Sequence, residues 1–139
     1  MRYQFSPRFI YFLEKAYSKN VHCIISTAAS HKKIKWYKKA FLSNPDAEWI
    51  FGMDGLPKES HKYRINQDGE KLWKIMLLGK SLIKNITWQY IIFSYNENNI
   101  EEAKSMANKN NIKLELMKTS RFPRGEYSWM IPSEKYLNV

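Results

Sequence analysis

Four short runs rich in apolar, β-branched and aromatic residues, at 21–27, 49–53, 86–93 and 112–117, alternate with segments whose apolar residues recur at helical spacing. This alternation constrains the fold more than any other feature, because strands separated by helices of ten or more residues pair in parallel through right-handed crossovers. Phe9, Phe12, Leu13 and Ala16 form a helical stripe over 7–19, with Ser6 as N-cap and Pro7 at the first helical position. Ile34, Tyr37 and Phe41 mark a second helix within 30–42, with five lysines at its other positions. Leu72, Ile75, Met76, Gly79 and Ile83 mark a third over 70–84, capped by Asp68. Asn98 and Glu101 have capping-box spacing for a fourth helix ending near Asn110, with Ile100, Ala103 and Met106 or Ala107 facing inward. The run 21–27 reads as a strand buried on both faces, whereas Ile112, Leu114 and Leu116 alternate with charged residues as in an edge or half-exposed strand. The expected fold is α/β, built of parallel β/α units: a small open sheet or a partial (half) TIM-like barrel of about four strands with outer helices over 1–122, followed by an irregular tail over 123–139.

With 44% apolar and 15% aromatic residues, 139 residues suffice for one core. No apolar run approaches the roughly 20 residues that cross a bilayer, and the start has no signal-peptide pattern, so a soluble, cytoplasmic protein is expected, with no membrane partner. Cys23 is the single cysteine and lies in an apolar run, which reads as a buried thiol; alone it forms no internal disulfide and holds no metal cluster. The three histidines are not at metal-ligand spacing, and no glycine-rich phosphate loop is present. His61 beside Glu59 and Ser60 has the residue types of a triad, but all three sit in one loop, which argues against a nucleophilic hydrolase. The net charge of +10 and pI near 9.6 raise the prospect of an anionic partner. The lysines are spread along the chain without one dense block, so a solvated basic surface is the favoured reading. A small basic nucleic-acid-binding or protein-interaction module stands as the alternative function.

Ligands of parallel sheets bind outside the carboxyl ends of the strands. The run 49–53 stops at Asp54-Gly55 and then Pro57, and Asp-Gly is equally a common turn dipeptide. The residues expected along this edge are Ser26 and Thr27; Asp54 with Lys58, His61 and Arg64; Ser94 and Asn96; and Lys118, Thr119 and Arg121. The set is polar and mostly cationic, which suits a ligand carrying a carboxylate or phosphate. Arg64 or Arg121 would grip it at two points, with Lys58, His61 and Lys118 as further anion or substrate contacts.

Ile25-Ser26-Thr27, Phe51-Gly52-Met53-Asp54-Gly55-Leu56, Tyr63-Arg64, Trp88-Gln89-Tyr90-Ile91-Ile92 and the stretch 95–103 occur in an order that resembles the middle and later part of a radical S-adenosylmethionine enzyme core, particularly the branch that modifies peptides and matures other enzymes. The resemblance covers about residues 7–122. It implies a partial barrel that binds S-adenosylmethionine across the carboxyl ends of its strands, beside a 4Fe-4S cluster on three cysteines that cleaves the cofactor to a 5′-deoxyadenosyl radical. By this resemblance Ser26 and Thr27 line the cofactor site, Asp54 lies near the ribose or structures its turn, Arg64 faces the methionine carboxylate, and Gln89 and Asn96 complete the wall. No catalytic residue is implied. The family's Cys-x-x-x-Cys-x-x-Cys loop and Gly-Gly-Glu-Pro turn are absent, and only Tyr3-Gln4-Phe5-Ser6-Pro7 stands where the turn would be. The expected function is therefore the C-terminal part of such a core, a fragment, a separately encoded half or a remnant kept for binding, inactive unless a missing segment or a partner supplies the cluster. A half-barrel leaves sheet edges exposed, so pairing with a cluster-bearing chain or a second copy is expected. A peptide or protein substrate fits the family branch; nucleic acid is the weaker candidate.

Overall fold

A computed structural model of the chain describes residues 5–119 and 130–137. Strands β1 (Ile24–Thr27), β2 (Glu48–Gly52), β3 (Ile86–Ile91) and β4 (Lys113–Met117) form one sheet, all parallel, in the order β1-β2-β3-β4. Helix α1 (Phe9–Ser18) precedes β1, and α2 (Ile34–Ser43), α3 (Gly69–Leu82) and α4 (Ile100–Lys109) link successive strands. The protein is thus an α/β run of parallel β/α units. Strands adjacent in sequence are adjacent in the sheet, and crossovers of one hand then stack the linking helices on a single face.

Register identifies that face, because side chains at paired positions of parallel strands point the same way. Ile25, Trp49 and Ile86 form one row; Thr27, Phe51, Trp88 and Leu114 the next; Tyr90 and Leu116 a third. Phe41 of α2 meets Trp49 and Phe51 with ring centroids 5.0 and 6.4 Å away, and Trp73 of α3 meets Trp88 at 5.3 Å. Phe5 and Phe9 pack against Trp36 and Trp49, which seats α1 on the same layer. Ile100, Ala103 and Ala107 of α4 complete the core. Each large ring buried here stabilises the fold by about 1.5–3 kcal/mol. The Tyr37 hydroxyl donates to the Ala29 carbonyl at 3.0 Å, and burial pushes its pKa up to about 12. The alternate positions Ser26, Ile50, Gly52, Thr87, Gln89, Ile91 and Glu115 face away from these helices.

The element ends differ from expectation for local reasons. The first strand starts at Ile24 and is a sheet edge, with Val21 56% and Ile24 61% exposed, so it is not buried on both faces. β3 stops at Ile91 because Asn96 takes over its polar groups: Oδ1 accepts from Phe93 N at 2.8 Å and Nδ2 donates to Ile91 O at 2.9 Å. Asp68 caps α3 as expected, accepting from Lys71 N at 3.0 Å. The capping box of α4 does not form; a 3₁₀ turn over Glu97–Asn99 leads into the helix, and the Asn99 amide is engaged by Glu59. Ile34 is 39% exposed, and Ala40 joins Tyr37 and Phe41 on the inner face of α2. Residues 130–137 are irregular apart from a 3₁₀ turn over Glu134–Tyr136, and the buried Met130 docks on the end of β3 by accepting from Ser94 N at 3.0 Å. Arg121, Phe122, Tyr127, Trp129 and the stretch 1–4 lie outside the described residues. No described helix is long and apolar enough to cross a membrane.

Gly79 marks the closest approach of α3 to the sheet: a Cβ there would lie 2.8 Å from both Ile86 Cδ1 and Phe41 Cζ. Gly79→Val is expected to destabilise the protein by about 2 kcal/mol or more through overpacking, read as a lowered urea midpoint.

Candidate functional site

Strand β2 runs into Met53-Asp54-Gly55, where Gly55 has φ +121°, a backbone conformation that favours glycine. The sharp turn leaves Asp54 fully buried at the sheet edge. Its Oδ1 accepts from Ile91 N of β3 at 2.8 Å, and its Oδ2 lies 2.8 Å from Arg64 Nε. The Nε–H does not point along that contact, so charge holds the pair rather than a directed hydrogen bond. Trp88 Nε1 donates to Met53 O at 2.7 Å, and the Tyr95 hydroxyl donates to Asp54 O. The carboxylate and both carbonyls of Met53 and Asp54 are thereby tied to β3, to Tyr95 beyond it or to Arg64.

The loop after this turn, 55–68, is closed by side chains of its own. Glu59 accepts from Leu56 N at 2.9 Å and from Asn99 Nδ2. Gln67 Nε2 donates to both Ala28 O at 2.9 Å and Gly52 O at 2.8 Å, bridging the carboxyl ends of β1 and β2. Ser30 Oγ accepts from Asp68 N at 3.0 Å. The loop therefore returns across the sheet edge and carries Arg64 back over β2, where a Cβ on Gly52 would lie 2.8 Å from Arg64 Nη2. Only glycine admits the guanidinium so close. Among the described residues nothing hydrogen-bonds to Arg64 Nη1 or Nη2, and the side chain retains 27% exposure. Residues 28–31 and 63–68 line a cleft of about 620 Å³ beside it.

The electrostatics are set by burial. It holds Asp54 above the ordinary carboxylate range, against the opposing pull of the Arg64 charge and the Ile91 N–H. Burial likewise raises Tyr95, helped by the charges of Asp54 and Glu59, so its hydroxyl stays a donor. His31, on the cleft wall, is lowered by burial and by Lys32 and Lys71, which keeps it neutral at pH 7.

The expected site residues divide into groups. Asp54 and Arg64 come together, and Gln89 lies level with Gly52 on the same face, donating to Glu115 Oε1 at 3.3 Å. Ser26 is exposed on that face, paired in register with Ile50. Thr27 faces the helices and its Oγ1 accepts from Ala29 N at 3.0 Å, so it shapes the turn after β1. Asn96 is buried with both ends of its amide engaged in the turn after β3. Lys58 and His61 line a neighbouring cleft of about 490 Å³ that shares Asn66, Gln67 and Asp68 with the first. Lys118 is exposed beyond β4, and Arg121 lies outside the described residues. Gln67, Glu59 and Tyr95 do as much to build the site, and no local pattern distinguishes them, because the partners that bridge elements are 15 to 41 residues away.

An iron–sulfur cluster does not fit this chain's own residues. Cys23 is the single thiol in the sequence, and no three His, Cys, Asp or Glu side chains gather to hold a metal among the described residues. A carboxylate does fit, since the two terminal nitrogens of Arg64 form a planar fork beside the cleft. No protein-family model matches the sequence, and no curated protein matches it.

A carboxyl whose folded pKa lies above its unfolded value contributes stability that is fully present below the unfolded value and is lost as pH rises through the folded one. Relative to Asp54→Asn, the urea midpoint of the native chain is therefore expected to fall as pH is raised above about 4, the unfolded value of a carboxyl.

Proposed function

We propose that the chain binds a small carboxylate-bearing molecule at the carboxyl edge of its sheet, and, by the resemblance of its motifs, that this molecule is S-adenosylmethionine. The observation that carries the reading is the arrangement of Arg64: aligned by a fully buried Asp54, with unbonded terminal nitrogens over Gly52 and beside a 620 Å³ cleft. Such a fork binds a carboxylate with little further ordering, and the cleft falls in the size range of ligand pockets. Gln89 offers polar surface on the same face, while Gln67 fixes the cleft wall. In this reading the chain is the C-terminal part of a radical S-adenosylmethionine enzyme core whose cluster belongs to another segment or chain. Binding and orientation of the cofactor fall to these residues; reductive cleavage does not.

Isothermal titration with S-adenosylmethionine and S-adenosylhomocysteine tests this. Both are expected to bind, and Arg64→Ala to weaken them by about tenfold or more, as for loss of a charge-assisted hydrogen-bonded pair. Unchanged affinity in Arg64→Ala, or no binding at all, overturns the assignment.

The same reading supplies a partner surface. β1 has a strand on one side only, and its exposed residues Val21 and Ile24 lie next to the unpaired backbone. A cluster-bearing chain, or a second copy, would continue the sheet there. Light scattering after size exclusion is expected to show self-association of the isolated chain, reduced by Ile24→Lys; a clean monomer excludes the second copy as the occupant of this edge.

A further inference from the structure

We propose a second, independent binding surface: the outer face of α1 and α2 docks single-stranded nucleic acid. Residues 8–43 hold eight lysines and arginines against a single acid, Glu14, so this quarter of the chain carries a net +7 of the total +10. The fold turns this bias into a surface, because α1 and α2 pack side by side, burying Leu13 of α1 and Tyr37, Ala40 and Phe41 of α2 and leaving the charged residues outside. Lys35, Lys38 and Lys39 are exposed and, with Glu14, Leu42 and Ser43, line a groove of about 360 Å³ between the helices. Among the described residues none of the three lysines has an acidic partner within ion-pair distance. Their mutual repulsion calls for an anionic counterpart.

The chemistry favours a nucleic acid strand. Tyr11 is 45% exposed one turn before Glu14 on α1, with Arg8 at 5.3 Å and Lys15 at 5.8 Å from its ring centroid. An exposed ring flanked by cations, next to a lysine-lined groove, has the parts of a single-strand site: a stacking platform for a base and charges that follow the backbone. The ten residues of α2 extend about 15 Å, close to the rise of four nucleotides at about 3.4 Å each. An anionic membrane is disfavoured because the apolar side of α2, with Tyr37, Ala40 and Phe41, is already buried against the sheet, and the large apolar residues that α2 leaves exposed, Ile34 and Leu42, lie at its opposite ends, while Phe12 is exposed on α1.

Fluorescence anisotropy with a labelled single-stranded oligonucleotide, titrated between about 50 and 200 mM salt, tests the proposal. With five cations engaged, log K is expected to fall with log salt at a slope of about −3.5. The triple variant Lys35→Gln, Lys38→Gln, Lys39→Gln reduces that slope by about 2. Tyr11→Ala weakens binding about tenfold and leaves the slope unchanged. All four positions are exposed, and circular dichroism verifies that the fold is kept. Arg64→Ala leaves oligonucleotide binding intact, which separates this surface from the carboxylate site. The proposal is overturned if the oligonucleotide does not bind at the lowest salt, if the triple variant binds as the native chain does, if duplex binds as tightly as single strand with Tyr11→Ala silent, or if phosphatidylserine vesicles displace the oligonucleotide at equal phosphate concentration.

Discussion

Asp54 is a carboxylate with no solvent exposure at the end of a central strand, and much of the sheet edge is arranged around that charge. Removing a carboxylate from water is costly unless another charge and hydrogen-bond donors face it. Here the donor is the Ile91 backbone of β3 and the charge is Arg64, delivered by a loop that has to double back across β2. The return path in turn requires a glycine at 52 to let the guanidinium pass, a glycine at 55 for the turn, and Gln67 to bind the ends of β1 and β2 together. One buried charge thus determines how three strands end and where the cleft lies.

The sheet separates two kinds of surface. Toward the helices, Trp49, Phe51, Trp88 and Tyr90 form a fully buried aromatic layer, and the close contact at Gly79 draws α3 onto it. The other face is polar and mixed, with Ser26 level with Ile50 and Thr87, and Gln89 level with Glu115 on the neighbouring strand. This asymmetry follows from the strand order, because sequential parallel strands with crossovers of one hand can cover only one side. The basic outer face of α1 and α2 lies on the covered side, and the carboxylate site at the edge, so the two sites draw on different parts of the molecule.

The alternating periods of two and 3.6 residues were enough to specify the α/β class, the parallel pairing and most inward positions, including Leu72, Ile75, Met76, Gly79, Ile100 and Ala103. The Asp68 cap was legible for the same reason, since its acceptor and donor are three residues apart. Asn98 and Glu101 illustrate the limit of such local signals: Asn99, beside them, is recruited by Glu59, 40 residues away. The exposure of Ile24 was equally hidden, as β-branched composition is the same for an edge strand and a central one.

For the site, the sequence alone determined that Asp54 and Arg64 belong to one carboxyl-edge loop, because strand periodicity locates the edge and the two residues follow it closely. Tertiary structure decided which candidates meet. Thr27 and Asn96 stand at strand ends like Asp54, yet their side chains are consumed by the backbone turns they stabilise, while Gln67 becomes a bridge between two strands. Likewise the cations of 8–43 fall into two separate runs, 8–19 and 32–39, and become one surface only when α1 packs beside α2. The physical reason is the same in each case: periodicity reports which way a residue faces within its own element, whereas its partners are chosen by the meeting of elements distant in sequence.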